Sequence, residues 1–261
     1  MSAPAGRRLM ALTHVPSPNM QQYERTFVGD QWIDYELALK QHAGYENTLR
    51  QCGAEVVTVD VNRSMADCVF IEDTAIVLDE LAVMMSPGAE SRRGEPRGIE
   101  PVLRRYREVE RVSLPGTIDG GDVVRAGRVL YVGVSLRTNV AGIDALRAVL
   151  KPHGYTVTAV PVQHCLHLKS ACSSLPDGRF LVNADWIDAS SLPASLLIHV
   201  PAGESWAGDV LVAGDTVVYS DAFPRTGELL AASGYGVASV SVSEFAKAEG
   251  GVTCMSLVFL N

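Results

Sequence analysis

Short apolar runs recur along the chain, many of them closed by a glycine turn, and three follow one pattern. Gln51-Cys52-Gly53-Ala54-Glu55-Val56-Val57-Thr58-Val59 reads as a helix end, a glycine C-cap and a β-branched strand. The same order returns at Pro152–Val160 and Ala232–Val240, with looser copies at Tyr106–Leu114 and Pro193–Val200. Turn triplets between alternating runs, Ala126-Gly127-Arg128, Asp177-Gly178-Arg179 and Gly214-Asp215-Thr216, predict hairpins. Helical spacing predicts a helix over Asp34–Gln51, with Leu37, Ala38, Tyr45 and Leu49 on its apolar face. Shorter helices are expected at Ile143–Leu150 and Gly227–Ser233, and strands at Cys68–Ile71, Val129–Val134 and Leu257–Leu260.

A unit of strands plus one helix, repeated about five times, implies radial or stacked repetition in an α/β fold. No linker or low-complexity segment interrupts it, so residues 1–261 read as one domain. In a radial arrangement the loops of all units converge on the axis. That would unite Asp73, Asp119, His167 and Cys254, which are far apart in sequence.

Bulk properties narrow the partners. The formal net charge of −8 argues against nucleic acid and anionic membranes. The five cysteines, Cys52, Cys68, Cys165, Cys172 and Cys254, form no CxxC and no regular spacing, so neither a disulfide framework nor a zinc site is expected. Arg7 and Arg8 precede an apolar run of only Leu9–Leu12, too short for a signal sequence, and no run approaches a membrane span. A reducing cytoplasm is the expected location.

Candidate chemistry sits in the polar clusters. Cys254 follows Gly250-Gly251 at the mouth of an apolar strand, where a thiol could serve as a nucleophile; a buried small hydrophobe is the alternative. His167 could act as acid and then base, with Asp119 first and Asp122 second as the group that orients its ring. Asp67, Glu72 and Asp73 flank an apolar stretch and could pair with a planar cation, or one of them could simply be solvated. Arg92 lies in a mixed-charge run, Glu90–Glu95, that reads as a solvated loop; with Arg137 it could clamp a carboxylate. The remaining histidines show no metal-ligand spacing, and Gly120-Gly121 is not a phosphate loop.

Six motifs in order, "FIEDTAIV", "SPGAESRRGE", "DGGDV", "SLRTN", "CLHLKS" and "KAEGGVTCMS", make the chain from about Asp34 to Phe259 resemble the dimethylarginine dimethylaminohydrolase family. The resemblance implies a five-bladed α/β propeller, the pentein fold, with the active site on the pseudo-fivefold axis. It implies Cys254 as nucleophile, His167 as acid and base, and Asp119 as its orienting partner. Asp67, Glu72 and Asp73 would surround a guanidinium, Arg92 and Arg137 would hold an α-carboxylate, and the backbone near Ala248 would face an α-amino group. The implied reaction converts Nω-methylated arginine to citrulline and a methylamine through a cysteine thiouronium, with no metal or organic cofactor. A small guanidino compound is the implied partner, and a homodimer is open.

Deiminases of the same superfamily resemble one another in an aspartate two residues after the histidine; here that position is Lys169, which favours N-alkylated guanidines. Asp119 is one methylene shorter than the glutamate of some relatives. The first ~30 residues match the pattern poorly, and Gly208-Asp209 stands where many relatives carry an asparagine-containing pair. A hydrolase or amidinotransferase acting on another guanidine, and a non-catalytic arginine-binding protein, are the alternative readings.

Overall fold

The computed structural model describes residues 7–261. In chain order the elements are β1 (Leu9–His14), α1 (Tyr35–Gln51), β2 (Glu55–Val59), β3 (Ala75–Val77), β4 (Leu81–Met84), α2 (Glu95–Leu103), β5 (Glu108–Arg111), β6 (Val123–Ala126), β7 (Val129–Val134), α3 (Val140–Leu150) and β8 (Thr156–Pro161). They continue with α4 (Leu168–Ala171), β9 (Cys172–Ser174), β10 (Phe180–Val182), β11 (Leu197–His199), β12 (Leu211–Ala213), β13 (Thr216–Ser220), α5 (Pro224–Ala232), β14 (Gly236–Val240), α6 (Ser243–Ala246) and β15 (Ser256–Leu260).

The strands form five three-stranded sheets among the described residues, β3-β4-β5, β6-β7-β8, β9-β10-β11, β12-β13-β14 and β15-β1-β2. Each repeats one recipe. A first strand pairs antiparallel with a second, and a third pairs parallel with the second. A parallel neighbour requires a crossover, which is why a helix or helical turns separate the second and third strands of each unit. The ring closes through β15, whose residues from Ser256 to Leu260 pair with Thr13 to Leu9 of β1. The first strands β3, β6, β9, β12 and β15 all line one axial cavity. The fold is a five-bladed α/β propeller, as the resemblance implied; the repeat by itself allowed a radial or a stacked arrangement.

The glycine signals are read correctly. Gly53, Gly154 and Gly234 all have positive φ at the ends of the three repeated patterns, and Gly127, Gly178 and Gly214 have it in the hairpin turns. The helix expected from Asp34 forms with Asp34 as its N-cap, accepting from the Leu37 N–H at 3.0 Å. Its buried face differs in part. Ala38, Tyr45 and Leu49 are buried, but Leu37 is exposed, and Gln41, His42 and Glu46 are buried instead. Each of those polar residues finds a neighbour: Gln41 with Ser243, Glu46 with Thr13 and Thr58, and His42 with Glu46.

Two other expectations are corrected. Cys68–Ile71 is not a strand; the chain turns through Asp67–Phe70, with the Phe70 N–H on the Asp67 carbonyl, into a 3-10 turn over Ile71–Thr74. Glu90–Glu95 is solvated only in part: Glu90, Ser91, Arg93 and Gly94 are exposed, but Arg92 and Glu95 are buried. Glu95 begins α2, a helix masked in the sequence by Pro96, Gly98 and Pro101.

Neighbouring blades share their cores. Ile76, Leu81 and Val83 of one sheet pack with Leu130 and Val132 of the next and with Ile143, Leu146 and Leu150 of α3. Tyr45, fully buried on α1, bonds the Val252 carbonyl at 2.8 Å and the Ser256 hydroxyl at 2.6 Å, tying the helix to both sides of the Cys254 turn. Tyr45→Phe keeps the ring but orphans these groups, so a loss of about 1–3 kcal/mol is expected from urea melts of the two proteins.

Candidate active site

One design rule places the polar residues. The segments that enter the first strands at the axis carry Glu72 and Asp73 before β3, Asp119 and Asp122 before β6, His167 and Lys169 before β9, Asp209 before β12, and Cys254 before β15. Side chains far apart in sequence therefore meet on the axis.

His167 is buried, and its Nε2 lies 3.0 Å from Asp119 Oδ2. Asp119 is fixed in turn by the Gly88 N–H on Oδ1 at 2.9 Å. Asp122 does not touch the ring; it accepts from Ser135, Thr138 and the Leu168 N–H, bracing the segment that carries the histidine. The sequence order of preference, Asp119 before Asp122, thus matches the geometry. Burial disfavours a charged ring, but the Asp73 charge, the Asp119 hydrogen bond and the Asp122 charge overcome it and raise the His167 pKa to about 9. Gly121 allows this packing: a Cβ there would lie 2.7 Å from His167 Nδ1 and 2.8 Å from Asp73 Oδ1. The donor atoms of Asp73, Asp119 and His167 fall within 4.8 Å of one another, and the proton on the imidazolium supplies the positive charge at that point.

The other carboxylates are held differently. Asp73 accepts from the Gly121 N–H at 2.9 Å and from Arg92 at 2.5 Å. Burial opposes its charge, yet His167 and Arg92 hold its pKa below the usual carboxylate range. Glu72 binds Lys169 Nζ at 2.5 Å, and this pair lies between the site and the axial cavity beneath it. Burial pushes Glu72 upward against the pull of Lys169, and its Oε2 has no hydrogen-bond partner among the described residues. A buried acceptor without a donor invites one from a ligand.

Arg92 and Arg137 are not equivalent. The Arg92 guanidinium is committed to Glu95, Asp73 and the Phe70 carbonyl. Among the described residues the Arg137 guanidinium has only a long 3.4 Å contact, to Thr26 Oγ1, and so offers its donors to the cavity. Asp67 accepts from the Glu24 N–H and lies under the influence of Arg92 and Arg137, placing it toward the arginine end.

Cys254 accepts the Gly251 N–H at 3.4 Å, and its Sγ lies 4.0 Å from Asp209 Oδ2. Burial, then the charges of Asp209, Glu72 and Asp73, push the thiol pKa well above its ordinary value. The free protein therefore holds a neutral thiol, and a cation entering beside it is what would favour the thiolate.

These groups line one small polar pocket. Cys254, His167, Asp119, Asp67, Asp73, Arg92, Arg137 and Ala248 all line it; of the sequence candidates Glu72, next to the Cys254 backbone, and Asp122 stand behind the wall. The Ala248 carbonyl receives no hydrogen bond from the described residues. Two lining residues escaped the sequence reading. Glu24 carries no motif signal. Glu249 has a left-handed backbone, φ 61°, costing about 1 kcal/mol for a non-glycine residue, and its carboxylate takes the N–H groups of Thr26, Phe27 and Val28. The Thr26–Val28 segment is thereby held at the cavity. Asp209 could have been found as the acid that enters the first strand of its repeat, the place Asp73 and Asp122 hold in theirs.

The raised His167 pKa gives a test. Its imidazole resonances should titrate near about 9, and Asp119→Asn should lower that midpoint in NMR titrations. The sign for stability follows. The contribution of this charge is fully present below the ordinary histidine value of 6.5 and is lost as pH rises through about 9. Urea midpoints should fall across that window in the wild type and less in Asp119→Asn.

Comparison with known proteins agrees with this geometry. The family model described as N,N dimethylarginine dimethylhydrolase, eukaryotic, matches residues 16–188. An N(G),N(G)-dimethylarginine dimethylaminohydrolase of Streptomyces coelicolor is 42% identical over 248 residues, covering 95% of both chains. A solved dimethylarginine dimethylaminohydrolase of Pseudomonas aeruginosa, a Cys-to-Ser mutant with citrulline, superposes with a TM-score of 0.88 at 32% identity, covering 96% of this chain and 98% of that one. Another, an adduct of a His-to-Gly variant with S-methyl-L-thiocitrulline, gives 0.89 at 32% identity, over 96% and 99%. With thiol, imidazolium and carboxylates on one propeller axis, and identity sustained along nearly the whole chain, the protein belongs to the dimethylarginine dimethylaminohydrolase family.

Proposed function

We propose that this protein hydrolyses Nω-methylated arginines, asymmetric dimethylarginine and monomethylarginine, to citrulline and a methylamine. The observation that carries this is the polarity of the cavity: acids and a thiol near His167, and an arginine with unused donors, Arg137, in the same wall. An arginine derivative has the complementary pattern, a guanidinium at one end and a carboxylate at the other. The citrulline and thiocitrulline complexes of the solved relatives support the same reading.

The geometry supports the following order of steps. The guanidinium settles against Asp73, with Glu72 behind the wall, and its charge favours the Cys254 thiolate. Sulfur attacks the guanidinium carbon, and His167, already an imidazolium, protonates the departing amine. The neutral ring, steered by Asp119, then takes a proton from water as it attacks the thiouronium carbon. Collapse releases the ureido product and frees the sulfur. Arg137 anchors the α-carboxylate, with Arg92 contributing chiefly by positioning Asp73. Asp67, Glu24 and the Ala248 carbonyl are the acceptors for the α-amino group. Lys169 occupies Glu72 where a further carboxylate would strengthen binding of free arginine.

The whole reaction is assigned to one catalytic domain. No helix among the described residues is long and apolar enough to cross a membrane, and the five cysteines are free, which supports a reducing cytoplasm as the place of action.

Mass spectrometry of products should show citrulline and dimethylamine from asymmetric dimethylarginine, lost in Cys254→Ala; normal turnover by that variant would sink the assignment. Arg137→Ala should raise KM by about tenfold or more with a smaller change in kcat, because its contact is made equally in ground and transition states. Free arginine should be turned over more slowly than the dimethylated form. Equal rates would remove the role given to Lys169.

A further inference from the structure

The reaction leaves one proton unassigned. Cys254 rests as a thiol, and something must take its hydrogen when the guanidinium arrives. His167 cannot, because between Asp73 and Asp119 it already carries its second proton and must keep it for the leaving amine. The sulfur is half-buried, and an acid lies beside it within the site.

Asp209 is placed for that task. It is nine-tenths buried, and its Oδ2 is 4.0 Å from Cys254 Sγ. The Thr253 hydroxyl touches both, 3.2 Å from Asp209 Oδ2 and 4.0 Å from the sulfur. The Thr253 N–H fixes the other oxygen at 3.0 Å. Gly251 makes room: a Cβ there would stand 2.2 Å from Asp209 Oδ2. No cation pairs directly with this carboxylate among the described residues, whereas Asp73 has Arg92 and Glu72 has Lys169.

We propose that Asp209 is the base that takes the Cys254 proton as the guanidinium binds, and the acid that returns it when the sulfur is freed. The S–H bond breaks and an O–H bond forms on the carboxylate, directly or through the Thr253 hydroxyl. The electron pair stays on sulfur, and the negative charge moves from Asp209 to the thiolate. Neutralising Asp209 at that moment also removes the repulsion it exerts on the thiolate. The step rests on the hydrolase reading above.

The surroundings suit a carboxylate that shuttles a proton at neutral pH. Burial and then the Glu72 charge raise the Asp209 pKa, the Thr253 hydrogen bonds and Lys169 oppose them, and the result is about 7. Facing it are Cys254 and Thr253 before β15, Glu72 before β3, Lys169 on α4 and Tyr45 on α1.

Two measurements on wild type and Asp209→Asn test this. The variant keeps an oxygen for Thr253 but cannot accept a proton at neutral pH. The first titrates thiolate ultraviolet absorbance and needs no substrate. The midpoint should fall in D209N, since a neighbouring negative charge is gone; an unchanged midpoint overturns the pairing whatever the substrate proves to be. The second is kcat/KM against pH with asymmetric dimethylarginine. Wild type should show an acid limb near about 7, where Asp209 becomes protonated, and an alkaline limb near about 9, where His167 loses its proton. D209N should lose about tenfold or more at neutral pH despite its more acidic thiol, with the acid limb moved upward. A carboxylate that only repels the thiolate predicts the reverse, a limb moved downward and equal or faster turnover, and that result overturns the proposal. If D209N does not fold, a wild-type profile with no limb near about 7 overturns it equally. A wild type inert toward dimethylarginine but with the expected shift in thiol titration would refute the substrate reading while supporting the Asp209–Cys254 pairing.

Discussion

Crowding of carboxylates on the propeller axis is the constraint on which the rest of the site depends. Glu72, Asp73, Asp119, Asp122 and Asp209 are all buried, and desolvation penalises the charge of an acid that lacks a partner. The protein meets this in three ways. Arg92 and Lys169 form direct ion pairs, backbone and hydroxyl donors surround Asp122, and His167 keeps a second proton. Among the described residues no cation pairs directly with Asp209, and burial and then the Glu72 charge raise its pKa to about 7.

That arrangement links stability to chemistry. The charges that hold His167 as an imidazolium also make it ready to protonate a leaving amine. The same negative field keeps Cys254 as a neutral thiol, which protects a buried sulfur from ionising without a substrate. A guanidinium reverses the balance, because its positive charge enters beside the sulfur, among the charges that disfavour the thiolate. Binding and activation of the nucleophile thereby become one event. The cost in folding free energy is spread over the cross-ties between blades, of which Tyr45 to the Cys254 turn and β1 to β15 are the clearest.

The two arginines show how residue type alone misleads. In the sequence they look like a matched pair for a carboxylate. In the structure Arg92 is consumed by Glu95 and Asp73, and Arg137 stands nearly free. One stabilises the acid cluster and the other faces the cavity. The difference arises because Arg92 leads into α2, whose first residue is the buried Glu95.

Much was legible before any coordinates. Glycines with positive φ marked the turns, β-branched runs marked the strands, and their recurrence implied a radial or stacked repeat, of which the radial form would draw Asp73, Asp119, His167 and Cys254 to one axis. These signals are local: they depend on what a few adjacent residues can do, and the sequence carries them in full. The helix at Glu95 and the turn at Asp67–Phe70 were hidden, because prolines and glycines obscured the first and an apolar run imitated a strand in the second. Only the tertiary structure decided which charge meets which. Whether an acid is paired, shared or left alone depends on neighbours contributed by other blades. Thus Asp119 rather than Asp122 reached the ring, Lys169 closed on Glu72, Glu249 captured the Thr26–Val28 segment, and Asp209 came within reach of the thiol.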